Sequence, residues 1–121
     1  MTSDRRTRAL SITEDLVREY SRRGNYHSDA GTSAALGLPG LVVQGMQAAG
    51  PAYAELLDAW GDAFLEHGEI DVRFAGVVYA GDRIEARVDI DDDGHAIIEV
   101  VTGNGAPRPA VVGRARRDLS T

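Results

Sequence analysis

From residue 69 onward, hydrophobic and polar positions alternate with a period of two. Ile70, Val72 and Phe74 alternate with polar or small neighbours, and Ile84, Ala86, Val88 and Ile90 do the same in the next apolar stretch. That period places one set of side chains on each face of a strand. The runs AIIEVVTG and AVVGRARRDL predict two more strands. Asp93-Gly94, between the second and third runs, is a favoured hairpin pair, and the Gly/Pro-rich stretch 103–109 separates the third from the fourth. The spacing predicts about four antiparallel strands in a sequential meander, with one further strand over 6–11.

The first half of the chain has a different period. Met46, Ala49, Tyr53, Leu56, Leu57, Trp60 and Phe64 recur at steps of three and four, which predicts one long amphipathic helix over 45–66. Such a helix would be about 33 Å long at 1.5 Å per residue. Ala48, Ala49, Gly50, Ala52 and Ala54 keep its first half slim. Pro51 either kinks it or marks its first turn. A shorter helix is expected over 12–22: Ser11-x-x-Glu14 reads as a capping box, Ile12, Leu16, Val17 and Tyr20 form its apolar stripe, and Gly24 ends it. The span 24–43 is expected to be irregular, with one helical turn near 33–36.

A helix with a long apolar stripe, followed by strands with one apolar face, has an economical solution. The sheet curves around the helix and both apolar surfaces are buried together. The expected architecture is α+β of the hotdog kind, in one domain over 1–121. A sheet of this size leaves an open edge, and that edge or the slim helix face is a natural dimer seam.

Composition narrows the chemistry. With no cysteine among 121 residues, thiolate nucleophiles, disulfides and cysteine-based metal sites are excluded, and an intracellular, cytoplasmic location is the natural expectation. All 13 basic residues are arginine, so Schiff-base chemistry has no lysine to use. A net charge of −6 argues against nucleic acid as a partner. No apolar run is long enough to span a membrane, and the N-terminus has charge but no apolar signal region. The glycines form neither a Walker nor a dinucleotide pattern, and the aspartates at 91–93 lack calcium-loop spacing. No resident cofactor or metal is expected. Arginine clusters at Arg5-Arg6-Arg8, Arg22-Arg23 and Arg114-Arg116-Arg117 read as solvated, ion-paired surface; a sharper reading has one of them meeting the phosphates of a large anionic carrier.

The stretch HSDAGTSAALGLPGLVVQGM resembles the corresponding stretch of MaoC-like hotdog proteins, the (R)-specific enoyl-thioester hydratases and β-hydroxyacyl dehydratases. There a loop ending in His-x-Asp leads through an Ala/Gly-rich segment to a Gly-Met opening the central helix. VRFAGVVYAGDRIEARV resembles the family's strand pair, with Arg73-Phe74 before and Gly81-Asp82 opening the second strand. The order of elements agrees over nearly the whole chain. The resemblance implies His27 as general acid/base, and the backbone amides of Gly45 and Met46 as donors to a thioester oxygen. It also maps a substrate-contacting polar position of the central helix onto Tyr53, although its place on the apolar stripe fits core packing better, with the hydroxyl reaching the pocket. These roles suit the chemistry. Imidazole titrates near neutral pH, and unpaired N–H groups at a helix start stabilise developing negative charge.

The resemblance departs at one point. The family pairs its histidine with an aspartate five residues earlier, in Asp-x-Asn-Pro-x-His; here that position is Arg22, and Gly24-Asn25 replaces Asn-Pro. In a shortened loop, Asn25 would lie near the missing carboxylate. Asp29 of His-x-Asp looks more structural than catalytic, yet joins Asn25 and His27 as a candidate. The resemblance implies a dehydratase or hydratase acting on an acyl thioester of coenzyme A or acyl-carrier protein, as a homodimer or a heterodimer. The lost aspartate leaves two alternatives: a repurposed tailoring enzyme (cyclase, isomerase or dehydratase), or a non-catalytic subunit beside an intact partner. A hotdog thioesterase would need a carboxylate on the central helix, where the first available, Glu55 and Asp58, are both too far along.

Overall fold

A computed structural model describes residues 3–20, 30–37, 40–103 and 107–118. The described chain runs β1 (Ser3–Ser11), α1 (Glu14–Tyr20), α2 (Ala30–Ala35), α3 (Gly45–Trp60), α4 (Asp62–His67), β2 (Glu69–Phe74), β3 (Arg83–Asp91), β4 (His95–Thr102) and β5 (Arg108–Arg116). The five strands form one antiparallel sheet in the order β1-β3-β4-β5-β2, and α3 lies against its inner face. This is the α+β hotdog arrangement that the two periodicities predict. Among the described residues, no helix is long and apolar enough to cross a membrane.

The alternating residues sort as the period requires. Ile84, Ala86, Val88 and Ile90 of β3, with Ala96, Ile98 and Val100 of β4, turn inward and are buried with Ala48, Ala49, Ala52 and Leu56 of α3. The alanines let the helix axis come close to the sheet, and Leu56 fills the deepest part of the contact.

Four local expectations are corrected. The meander holds only for β3, β4 and β5. β2, the first strand after the helices, pairs with β5 at the far edge, with Val72 opposite Gly113, rather than with β3. Alternation records which face a residue occupies, not which strand lies beside it. The span expected as one helix over 45–66 is two helices. α3 continues through Pro51 and stops at Gly61, whose φ of +60° lies in the left-handed region, and α4 folds back to set Phe64 against Tyr53 and Trp60. Ser11 is the last residue of β1, opposite Arg83, and the cap of α1 comes from Thr13, whose Oγ1 accepts the Leu16 N–H at 3.2 Å. α2 begins at Ala30, earlier than the single turn expected near 33–36.

The crossing from β2 to β3 is held by backbone bonds. Val43 N–H donates to the Val78 carbonyl (2.8 Å), Ala80 N–H to Leu41 (2.9 Å), and Ile12 N–H to Asp82 (2.9 Å). Gly81, at φ +98°, makes the turn, and the Asp82 carboxylate accepts the Tyr79 N–H and the hydroxyl of fully buried Thr102. The Gly81-Asp82 pair thus closes the strand entry and satisfies a buried polar group.

Candidate functional site

The candidate site is the start of α3. Gln44 occupies the cap position with extended backbone and makes no side-chain cap bond; the first helical bond runs from Ala48 N–H to the Gln44 carbonyl. The amides of Gly45 and Met46 precede that bond and have no acceptor within the helix. Their partial positive charge, added to the helix dipole, favours an oxygen that gains negative charge. Gln47 ties this turn to α1: its Nε2 donates to the Leu16 carbonyl at 2.9 Å. α1 leads into the segment that carries Asn25, His27 and Asp29, and these three residues lie outside the described residues.

One side of the helix start is closed by a residue absent from the sequence-derived site. A Cβ on Gly45 would sit 2.7–2.8 Å from three ring atoms of Phe74, so glycine is what lets the ring lie there. Phe74 ends β2 on the same face as Ile70 and Val72. The alternation assigns it to the inner face, but only the folded register carries that face up to the helix start.

Tyr53 is eight residues further along α3, about 12 Å by helix rise. Its ring centroid lies 5.4 Å from that of buried Phe64, which half-buried Tyr53 and Trp60 flank. The structure sets Phe74 against Gly45 at the helix start, beside Met46, and places Tyr53, midway along α3, in aromatic packing.

The helix carboxylates serve a different purpose. Arg6 and Arg8 of β1 point inward, and both donate to Glu55, which is only 7% exposed; Arg8 also bonds Asp58. Arg5, on the opposite face of β1, pairs with Asp89 at 2.8 Å. All three arginines of the 5-6-8 cluster thus make ion pairs within the chain. Burial pushes the Glu55 carboxyl upward, but the hydrogen bonds from Arg8 and Arg6 outweigh it and hold the group below the ordinary range. A carboxylate held ionised by two guanidiniums is a poor proton acceptor. The Arg5 bond lowers Asp89, and the His95 and Asp93 amides lower Asp91 at the β3–β4 turn.

These three carboxyls bind protons less readily in the folded chain than in the unfolded one. The stability they contribute is therefore present above the unfolded carboxylate range and lost as pH falls through the depressed folded values. Glu55→Ala should lower stability at pH 7 by about 2 kcal/mol, the scale of a part-buried hydrogen bond to a charged group. Denaturant unfolding at pH 7 and pH 3.5 checks both statements: the gap between wild type and variant should narrow at the lower pH.

Open concavities elsewhere are of another kind. One of about 430 Å³ lies on the outer face of the sheet, among Glu69, Asp71, His95, Ile97, Arg114 and Arg116, and Glu69 and Arg116 are already paired. It lies on the face of the sheet away from α3 and its start.

Comparison with known proteins gives one family and one fold. The MaoC like domain family matches residues 2–108. No curated protein matches the sequence. Among solved structures, the chain is similar to the R-hydratase PhaJ1 from Pseudomonas aeruginosa in its unliganded form (TM-score 0.73, 17% identity, 95% of this chain and 79% of that one). It is also similar to the (R)-hydratase from A. caviae involved in PHA biosynthesis (0.70, 18%, 95% and 93%). A third similar structure is the C-terminally truncated HadBC (3R-hydroxyacyl-ACP dehydratase) complex from Mycobacterium tuberculosis (0.65, 20%, 93% and 92%). At these identities the likeness speaks for the hotdog fold.

Proposed function

The chain belongs to the MaoC-like domain family, and we propose that it is a hydro-lyase that adds water to an enoyl thioester or removes it from a β-hydroxyacyl thioester. The observation that carries this reading is the bare start of α3, where Gly45 offers backbone amides without a side chain of its own. Hydration needs donors at the thioester oxygen, because charge accumulates there while water adds to the β-carbon. His27, which matches the family's histidine in sequence, takes a proton from the water as its oxygen bonds to the β-carbon. A proton is then delivered to the α-carbon, and the elements of water are balanced. Coenzyme A or an acyl-carrier protein carries the substrate, and no redox group is needed. Asn25 and Asp29, two residues to either side of His27 in sequence, are the further candidates for assisting that proton transfer.

A second copy of the chain completes the assembly along the open edge of β2. The other edge, β1, has its inward arginines engaged by Glu55. A second reading is favoured by one observation, the arginine at position 22 where the family has aspartate. On that reading the chain is a pocket-shaping subunit of a heteromeric dehydratase.

The test is hydration of crotonyl-coenzyme A, followed by loss of enoyl-thioester absorbance. Wild type should turn over, and His27→Ala should lower kcat at least about a hundredfold, the usual scale for a positioned acid/base. No turnover by folded wild type would sink the reading and leave the subunit reading in place.

A further inference from the structure

We propose that Phe74 is a specificity-determining wall of this site: the acyl chain of the thioester lies along its ring while the thioester oxygen meets the Gly45 and Met46 amides. The inference rests on the reading above and names a residue that the family resemblance does not assign to the site.

Phe74 faces inward with Ile70 and Val72, which are half-buried against the core, yet the residue is 54% exposed. It is neither a core residue nor an outward one. It sits on the helix start at 2.7–2.8 Å from the place of a Gly45 Cβ. Two other apolar side chains are left open on the segments that meet there: Met46 is 50% exposed, and Val77, beside the Val78 that bonds Val43, is 44% exposed. The Phe74 ring beside a set of backbone donors, with Met46 open on the same turn, makes a surface of mixed character. Water serves the donors and not the ring. A purely apolar partner would serve the ring and leave the donors unmet. A thioester serves both, because its acceptor oxygen and its hydrocarbon chain are adjacent.

The geometry also couples two residues. Gly45→Ala would push the Phe74 ring aside, which is feasible because the ring is the free end of a side chain. Part of the damage from that change should therefore disappear in a Phe74→Ala background.

The experiment is binding of butyryl-, hexanoyl- and octanoyl-coenzyme A, which do not react, to the full chain by titration calorimetry. Sedimentation of the same samples accompanies it. Wild-type affinity should rise with chain length. Phe74→Ala should weaken octanoyl-coenzyme A about tenfold and butyryl-coenzyme A less than about threefold, because apolar contact area is what it removes. Phe74→Leu should keep part of the slope. Equal affinity for all three thioesters in wild type would overturn the proposal, as would a Phe74→Ala variant that weakens all three alike. Dissociation of a dimer by Phe74→Ala would assign the ring to the subunit seam instead and overturn it too. The two readings fail separately. A chain-length slope without crotonyl-coenzyme A hydration rejects the hydratase chemistry alone, and hydration without a slope rejects the role of Phe74 alone.

Discussion

Gly113→Ala is expected to loosen β2 from the sheet and to lower stability by about 3 kcal/mol, the upper range for overpacking a site that cannot yield. A Cβ at Gly113 would overlap the Asp71 carbonyl oxygen and come within 2.8 Å of the Val72 Cα. Both are backbone atoms of the neighbouring strand, so relief requires moving the strand, not a rotamer. Within the chain, β2 is an edge strand paired with β5 alone, so this one ladder sets its position in the sheet. The same shift would carry Phe74 away from Gly45. Amide hydrogen exchange should therefore show lost protection across residues 69–74 with β3 and β4 unchanged, together with a lower melting temperature. Gly50→Ala is the contrast. Nothing lies within 4 Å of its Cβ position on α3, and the change should be neutral or stabilising by about 0.5 kcal/mol through helix propensity. Similar exchange in the two variants would show that the close approach at Gly113 is not what seats β2.

Leu56→Ala should cost about 4 kcal/mol, within the range for deleting a buried leucine side chain. Leu56 has no exposed surface and lies in the core shared by α3 and the sheet. Its neighbours along the helix face, Ala49 and Ala52, are too small to close over the gap, and the strands opposite are fixed by their ladders. The cavity would therefore persist. The melting temperature should fall by about 15 °C for a chain of this size. Leu56→Met, which nearly conserves volume, should recover most of that. A loss below about 1 kcal/mol for Leu56→Ala would mean that the helix seat can collapse, and that the core is less tightly built than the burial implies.

The two variants probe different parts of the site. Leu56 seats α3 and so fixes the height of the Gly45 amides over the sheet. Gly113 seats β2 and so fixes Phe74 beside them. The proposed hydro-lyase chemistry would need both, because donors to a developing oxyanion lose their effect when displaced by about an ångström.

Much of this architecture is legible from the sequence. The two-residue alternation of Ile84 to Ile90 and the three- and four-residue steps from Met46 to Phe64 each repeat a period that only one backbone geometry satisfies. They settled the identity of the central helix, the strands and the faces they bury. Asp93-Gly94 marked its hairpin through local turn chemistry, and Gly45 announced a helix start without a side chain. Local signals were weaker where the breaker was a single residue. Gly61 ends α3 inside an unbroken apolar stripe, because the stripe continues through α4 on a helix of another direction.

What the tertiary structure alone decided is every contact between residues distant in sequence. Arg8 and Glu55 are 47 positions apart, and nothing in an Arg-rich N-terminus says that two of its arginines turn inward to a carboxylate on the central helix. β2 could have joined β3 as the next strand in order; it joined β5, and so brought Phe74 to Gly45. Periodicity within a segment is set by the backbone of that segment, so a sequence displays it directly. The choice of partner is set by how all the apolar faces can be buried at once, and that is a property of the folded chain.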